Sequence, residues 1–316
     1  MRGAVTKEIA AGRLRAADNI LLLTHIRPDG DTVGSAAALC QGLRDMGKTA
    51  YLLANDGLTA TYAPYALPYI APADFAPDFV AAVDIATTGL LPENARRYEG
   101  CIDLTIDHHG SQEYFAHETW VDGDTAACGE LIYELLADLT PLAPAIALPL
   151  YVAVSTDTGC FVYANTTAHT HRVAAALMDC GIDVKDVNRT LFRLKSRTRL
   201  AMESRMAADM ELYDEGRLVI MTIPLALRQE LHATEADIEE LSALAGQVEG
   251  TDCGITLREL KEGTIKLSVR TSPRVDACAL CQKLGGGGHK GAAGATVEGT
   301  MEDVKKAALA AYREIV

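Results

Sequence analysis

Histidine and aspartate crowd together in two short stretches of this chain, THIRPDGD at residues 24–31 and DHH at residues 107–109. Two further aspartates, Asp84 at the end of FVAAVD and Asp157 in AVSTDTGCF, stand where apolar runs give way to polar residues. Brought to one place, His25, Asp29, Asp31, Asp84, Asp107, His108, His109 and Asp157 would set carboxylates against one another, and some would have to take up protons to coexist. Two divalent cations remove that conflict, because their charge balances four carboxylates. Oxygen-rich sites with some imidazole suit Mn2+ or Mg2+, and the histidines favour Mn2+. Two such ions about 3.5–4 Å apart activate a water and stabilise the attacking and leaving oxygens of a phosphoryl group. These residues therefore suggest two-metal hydrolysis of a phosphoester.

Each residue also has a plainer reading. Asp29 precedes a helical pattern and could be its N-cap. Asp84 or Asp157 alone could close a turn, and a lone histidine is more often a satisfied core or surface group. Two consecutive histidines directly after an aspartate have little structural purpose, and neutral imidazole is a common metal ligand. That pair tips the reading toward a metal centre.

The elements that must position these residues follow from hydrophobic patterning. ILLLT (20–24), TAYLLA (49–54), FVAAVD (79–84) and LTID (104–107) read as buried strands, while residues 34–47, 125–138 and 168–180 carry helical spacing. Alternation of this kind predicts an α/β fold with a doubly wound, mostly parallel sheet, whose ligands sit at the carboxyl ends of the strands. His25, Asp84 and Asp107 fall at such ends. A helix starting within residues 32–35 would offer its N-terminus to a bound phosphate. Around residues 185–205 the pattern changes to a basic run with Arg189, Arg193, Lys195, Arg197 and Arg199, which reads as the solvated face of a connection or the wall of a substrate cleft. Strands at 217–224, 252–260 and 264–271, then a helix, a glycine-rich loop and a last helix at 300–314 predict a smaller α+β domain. The expected organisation is a catalytic domain at 1–185, a linker at 186–205 and a substrate domain at 206–316, with a cleft between the domains.

Composition narrows the partners. The 316 residues carry a formal charge of −14, and a grip on long duplex DNA needs many lysine and arginine contacts to phosphate. A short anionic substrate remains compatible with such a chain if metals and a few arginines make a local positive pocket. No apolar stretch reaches the ~20 residues that span a bilayer, no signal peptide is apparent, and a cytoplasmic protein without a membrane partner is expected; a homodimer stays open. Cys278 and Cys281 form a lone CxxC with no second pair at zinc spacing, and read as two thiols one helical turn apart.

With these residues in view, the chain resembles the DHH phosphoesterase superfamily. HIRPDGDTVGS (25–35), Asp84, DHH (107–109), STDTG (155–159) and GGGGHKGAAG (285–294) stand in the order of that family's motifs. Within it the sequence is most similar to the short oligoribonuclease/pAp-phosphatase group with a C-terminal DHH-associated domain. The resemblance implies that His25, Asp29 and Asp84 hold one ion and Asp31, Asp84, His108 and Asp157 the second, with Asp84 bridging. It further implies that His109 faces the scissile phosphate, that Asp107 orients His108, and that Arg270, Gly286, Gly287, Gly288 and His289 bind the far end of the substrate. The segment after Asp84, ATTGLLPENARRYEG, lacks an acidic residue expected close behind that aspartate. The implied activity is hydrolysis of short oligoribonucleotides to 5′ mononucleotides, or of pAp to AMP. A phosphodiesterase for cyclic or linear dinucleotides is the alternative enzyme, and a nucleotide-binding module without turnover is the alternative of another class.

Overall fold

The computed structural model describes residues 3–316, with backbone alone at residues 239 and 240. The chain forms two compact units that meet in sequence between Leu194 and Lys195.

The first unit is built on six strands, β1 (Gly3–Ala4), β2 (Ile20–Leu23), β3 (Ala50–Leu52), β4 (Phe79–Val83), β5 (Leu104–Asp107) and β6 (Glu118–Val121). All pairs are parallel, in the order β1-β6-β5-β4-β2-β3. All four residues of β2, ILLL, are buried, because both faces of a parallel sheet are covered. Ile20 and Leu22 join a core with helices α1 (Lys7–Ala16), α2 (Gly30–Asp45), α3 (Ala63–Ala66), α4 (Cys128–Ala137), α5 (Pro144–Asp157) and α6 (Ala168–Asp179). Leu21 and Leu23 face the other way, onto Leu91, Ala95, Ile102 and Phe115. That second face is closed by short 3₁₀ turns at Thr88–Leu90 and Glu93–Tyr98 and by loops.

Helices α2 and α5 approach very closely. A Cβ on Gly34 would stand 2.2 Å from the Pro149 carbonyl oxygen, and one on Gly30 2.3 Å from Thr156 Oγ1. The contact joins the start of α2, which carries Asp31, to the end of α5, which carries Asp157. Gly34→Ala is expected to cost roughly 1–3 kcal/mol through overpacking, read as a lower midpoint in thermal denaturation. A midpoint equal to wild type would refute the close contact.

The second unit begins beyond a short helix α7 (Val184–Asn188) and a π-helical turn (Arg189–Arg193). Helix α8 (Arg197–Ala208) places Met202 and Met206 in the core of this unit. Most of the basic run is neutralised locally: Arg189 pairs with Asp186, and Lys195 and Arg199 both pair with Glu203. Strands β7 (Glu211–Tyr213), β8 (Leu218–Ile223), β9 (Cys253–Lys261), β10 (Thr264–Thr271), β11 (Gly287–His289) and β12 (Ala292–Glu298) form a mixed sheet in the order β11-β12-β10-β9-β8-β7. One face packs on α11 (Ala277–Gln282) and α12 (Met301–Arg313); the other packs on α8, α9 (Leu225–Glu230), α10 (Glu235–Ile238) and residues 239–247. Cys278 and Cys281 lie on α11 as free thiols. Among the described residues no helix is long and apolar enough to cross a membrane.

Candidate metal centre

Strands β2, β4 and β5 lie side by side, with Leu23 opposite Ala82 and Val83 opposite Ile106, so their carboxyl ends finish at a similar level. The chain leaves β2 toward β3 on one side, while β4 lies on the other; such a reversal is where open α/β sheets hold ligands. His25, Asp29 and Asp31 follow β2, Asp84 follows β4, Asp107 ends β5 and the two histidines follow it. Asp157 comes from the last residue of α5.

Each carboxylate has its own anchor. Asp29 caps α2: its Oδ1 accepts from the Asp31 and Thr32 amides at 3.0 and 3.2 Å, and its Oδ2 stands 3.5 Å from His25 Nε2. Two of the amides available for a phosphate at the start of α2 are thus taken by Asp29. Asp31 is buried and accepts from the first two amides of α4, Cys128 at 2.7 Å and Gly129 at 2.9 Å, and from Ser35 Oγ at 3.0 Å. Asp84 has a left-handed backbone, φ +61°, which aspartate adopts more readily than most residues. Its buried Oδ1 has no hydrogen-bond partner. That oxygen lies 3.5 Å from His108 Nε2 and from His109 Nδ1, and Oδ2 lies 3.8 Å from His25 Nε2. His108 Nε2 is also 3.6 Å from Asp31 Oδ2 and 3.7 Å from Asp157 Oδ2. The Thr125 carbonyl, 3.3 Å from His108 Nδ1, leaves Nε2 as the nitrogen facing the carboxylates.

Two sets of candidate ligand atoms result, His25 with Asp29 and Asp84, and Asp31 with His108 and Asp157. Within each set every atom lies within 4.8 Å of the others. Asp84 also groups with His108 and His109, so it reaches both sides. Burial, with the charges of Asp157 and Asp29, pushes the Asp31 carboxyl well above its usual range. Burial, with the charges of Asp31, Asp29, Asp107 and Asp157, does the same to Asp84. Burial also raises Asp157, against the opposing effect of His108. A buried carboxylate oxygen without a donor is costly, and a divalent cation is the partner this donor set fits: carboxylate and imidazole, with no thiolate among them.

Residues 19–154 match the DHH family, N-terminal domain, and residues 224–316 match the DHHA1 domain. The chain is 33% identical over 299 residues to the bifunctional oligoribonuclease and PAP phosphatase NrnA of Thermus thermophilus, an alignment covering 93% of this chain and 89% of that protein. The chain belongs to the DHH phosphoesterase family. The NrnA of Bacillus subtilis is 24% identical across 89% of this DHH phosphoesterase and 90% of its own length. An exopolyphosphatase-related protein from Bacteroides fragilis shares the fold, with a TM-score of 0.85, 21% identity, and coverage of 98% of this chain and 95% of that one.

The structure of this DHH phosphoesterase corrects one expected role. Asp107 does not hold the His108 ring. Its Oδ1 lies 2.7 Å from His109 Nδ1 and accepts the His108 backbone amide at 2.9 Å. The two histidine rings lie side by side, 4.5 Å between centroids, but His108 Nδ1 is occupied by the Thr125 carbonyl, so the ring nitrogen that meets Asp107 is Nδ1 of His109. The hydrogen bond that His109 donates to Asp107 is the main reason that His109 is raised above its ordinary value, with burial opposing and the charges of Asp107, Asp157 and Asp29 adding to the rise. Gln112, missed in the sequence reading, completes the arrangement: Nε2 donates to Asp107 Oδ2 at 2.6 Å and to the Ile85 carbonyl at 2.9 Å. It ties the histidine-bearing loop to the loop after Asp84. No motif marks a lone glutamine five residues downstream.

In the DHHA1 region of the DHH phosphoesterase, strand register gathers the other expected residues. His289 pairs with Ala292, and Ala292 with Arg270, so the three form one row, and directly paired residues project from the same face. The glycines before His289 have more than one purpose. A Cβ on Gly286 would stand 2.2 Å from the Gly294 carbonyl oxygen, and one on Gly288, at φ +144°, 2.6 Å from Ala293 Cα. Both are glycine because β12 runs against them. Gly287 alone of the three has open space beside its Cα, so close approach of a phosphate is an argument for Gly287 and not for its neighbours.

Proposed function

We propose that this DHH phosphoesterase hydrolyses short oligoribonucleotides to 5′ mononucleotides and removes the 3′ phosphate of pAp. Two divalent cations, Mn2+ ahead of Mg2+, would be held by His25, Asp29 and Asp84 and by Asp31, Asp84, His108 and Asp157. The observation that carries this reading is the Asp84 carboxylate: buried, with one oxygen lacking any donor, and within reach of both ligand sets. Bound there, the cations supply an activated water and neutralise charge on the phosphoryl oxygens. The names of the similar proteins support the substrate class, and the charge of −14 disfavours long nucleic acid.

The chain's own residues supply the rest. Asp107 holds His109 by Nδ1 and favours the imidazolium, leaving Nε2 to donate toward a phosphate oxygen. Arg270, His289 and the Gly287 backbone would hold the substrate away from the scissile bond. We assign catalysis to the first unit, expected at residues 1–185, and substrate binding to the second, expected at 206–316, with part of the expected linker at 186–205 folded into the second unit as α8, in a cytoplasmic protein. Purified protein with Mn2+ or Mg2+ should hydrolyse pAp, pApA and RNAs of two to five nucleotides, faster than cyclic di-adenylate or long RNA. If all three classes of short substrate stay intact, the reading fails; faster turnover of the cyclic dinucleotide replaces it with the alternative.

Metal removal gives a second check. A carboxyl whose folded pKa exceeds its unfolded value binds its proton more tightly when folded, so protonation stabilises the fold. For Asp31 and Asp84 that stabilisation is complete below the ordinary value of 3.8 and is lost as pH rises through their raised folded values. Chelated protein should therefore melt at a lower temperature at about pH 8 than at about pH 5, and added Mn2+ should restore stability at the higher pH. A chelated protein that gains stability over that rise in pH would contradict the crowded carboxylates.

A further inference from the structure

The loops that carry the candidate ligands also carry a group of exposed apolar side chains. Ile26 is 40% exposed, Leu90 38%, Tyr114 41%, Val162 80% and Tyr163 61%. Ile26 follows His25 directly, Tyr114 follows the DHH stretch, and Val162 and Tyr163 follow Asp157 in one turn. The Ile26 amide donates to the Leu90 carbonyl at 2.7 Å, which joins two of these loops. Single apolar residues on a surface need no explanation, but their recurrence on the segments that carry the candidate ligands does.

Tyr163 is the most firmly built of them. Gly159, Cys160 and Phe161 are left-handed in succession, at φ +56°, +57° and +66°, an unfavourable conformation for cysteine and phenylalanine. The amides of Val162 and Tyr163 both return to the Thr158 carbonyl, at 2.9 and 3.0 Å. Asn165 Nδ2 then donates to the carbonyls of Asp157 at 3.1 Å and Ala126 at 3.0 Å. The phenol ring lies against Gly159, where a Cβ would stand 2.5 Å from its carbons. One part of the ring is thus backed by main chain, and the rest is open to solvent, within six residues of a candidate ligand.

Resting on the nucleotide phosphoesterase reading, we propose that Tyr163, flanked by Val162, is a stacking platform for the nucleobase of the nucleotide whose phosphate occupies the centre. Cations and histidines recognise a phosphoryl group whatever it is attached to. A π surface recognises any base and tolerates sequence, because every base has a π face. The two together select nucleotides without selecting among them, which suits an enzyme for mixed short RNA.

Tyr163→Ala is expected to raise KM for pAp and a trinucleotide by about tenfold to hundredfold, the size of one lost base–aromatic stack. Tyr163→Phe should stay within about threefold of wild type, and the Ala/wild-type ratio should be at least several-fold smaller on an abasic analogue of pAp. Titrating AMP into Tyr163→Trp should quench the new tryptophan beyond any change in wild type, whose lone Trp120 is buried. Equal losses on pAp and its abasic analogue, a Phe variant as damaged as the Ala variant, or no AMP-dependent quenching would overturn the platform. The fluorescence arm needs no turnover: an inactive wild type refutes the phosphoesterase reading, while quenching still decides whether a base binds Tyr163.

Discussion

Asp84→Asn should lower kcat/KM on pAp and short RNA by about a thousandfold or more, while the chelated protein becomes no less stable. The first effect follows from the position of Asp84 within reach of both ligand sets. A ligand shared by the two proposed cations would support both, and such charge is worth several kcal/mol to a phosphoryl transition state; roughly 4 kcal/mol is a thousandfold in rate. The second effect follows from burial. Asp84 is crowded by like charges and one oxygen has no donor, so neutralising it removes a repulsion from the metal-free fold. Asparagine also accepts the left-handed backbone at φ +61°, which alanine would adopt less readily, so the amide isolates charge from backbone strain. Steady-state kinetics and melting with and without Mn2+ check both halves. Unchanged kcat/KM would sink the shared-ligand proposal, and a large loss of chelated stability would mean that Asp84 already has a partner.

The second large effect is expected at the DHH stretch. His109→Ala should reduce kcat by about a hundredfold to ten-thousandfold, the usual range for a positioned proton donor, while the melting shift produced by Mn2+ persists. Asp107→Asn should act through the same ring. Its hydrogen bond is what raises His109 above the ordinary histidine value of 6.5, so its removal lowers the pKa. The protonated ring is then lost at lower pH, and the alkaline limb of the kcat profile should move toward acid. A purely structural Asp107 would reduce kcat evenly across pH, and that flat profile would refute the proposed role.

The chemistry of this centre was legible because its residue types are unusual where they stand. An aspartate followed by two histidines at the end of LTID, and three candidate ligands within THIRPDGD, need no knowledge of packing to attract notice. Strand ends were equally plain, since β2, β4 and β5 are short apolar runs. The division of labour inside DHH was not legible, because it depends on which carbonyl meets which ring nitrogen, and Thr125 lies well downstream in sequence. Helix α5 was hidden for another reason. PAIALPLYVAVS is apolar throughout and contains Pro149 within the helix, so it offers neither a 3.6-residue period nor an uninterrupted helical composition. Asp157 therefore read as the end of an apolar run and not of a helix. The glycines before His289 misled in part, because a missing side chain says only that something is close. At Gly286 and Gly288 it is the adjacent strand.

The contact of Gly30 and Gly34 with α5 has a consequence for ion choice. Asp31 sits at the start of one helix and Asp157 at the end of the other, so the gap between these carboxylates depends on how far apart the helix axes lie. Coordination distances differ by only about half an ångström between Mg2+ and Ca2+. A methyl group inserted at Gly34, buried between two helices and outside both ligand sets, would open that gap by a comparable amount. With ions held as proposed, the bare glycine surface would work as a calliper, setting the accepted ionic radius partly through hydrogen atoms that never touch the ion.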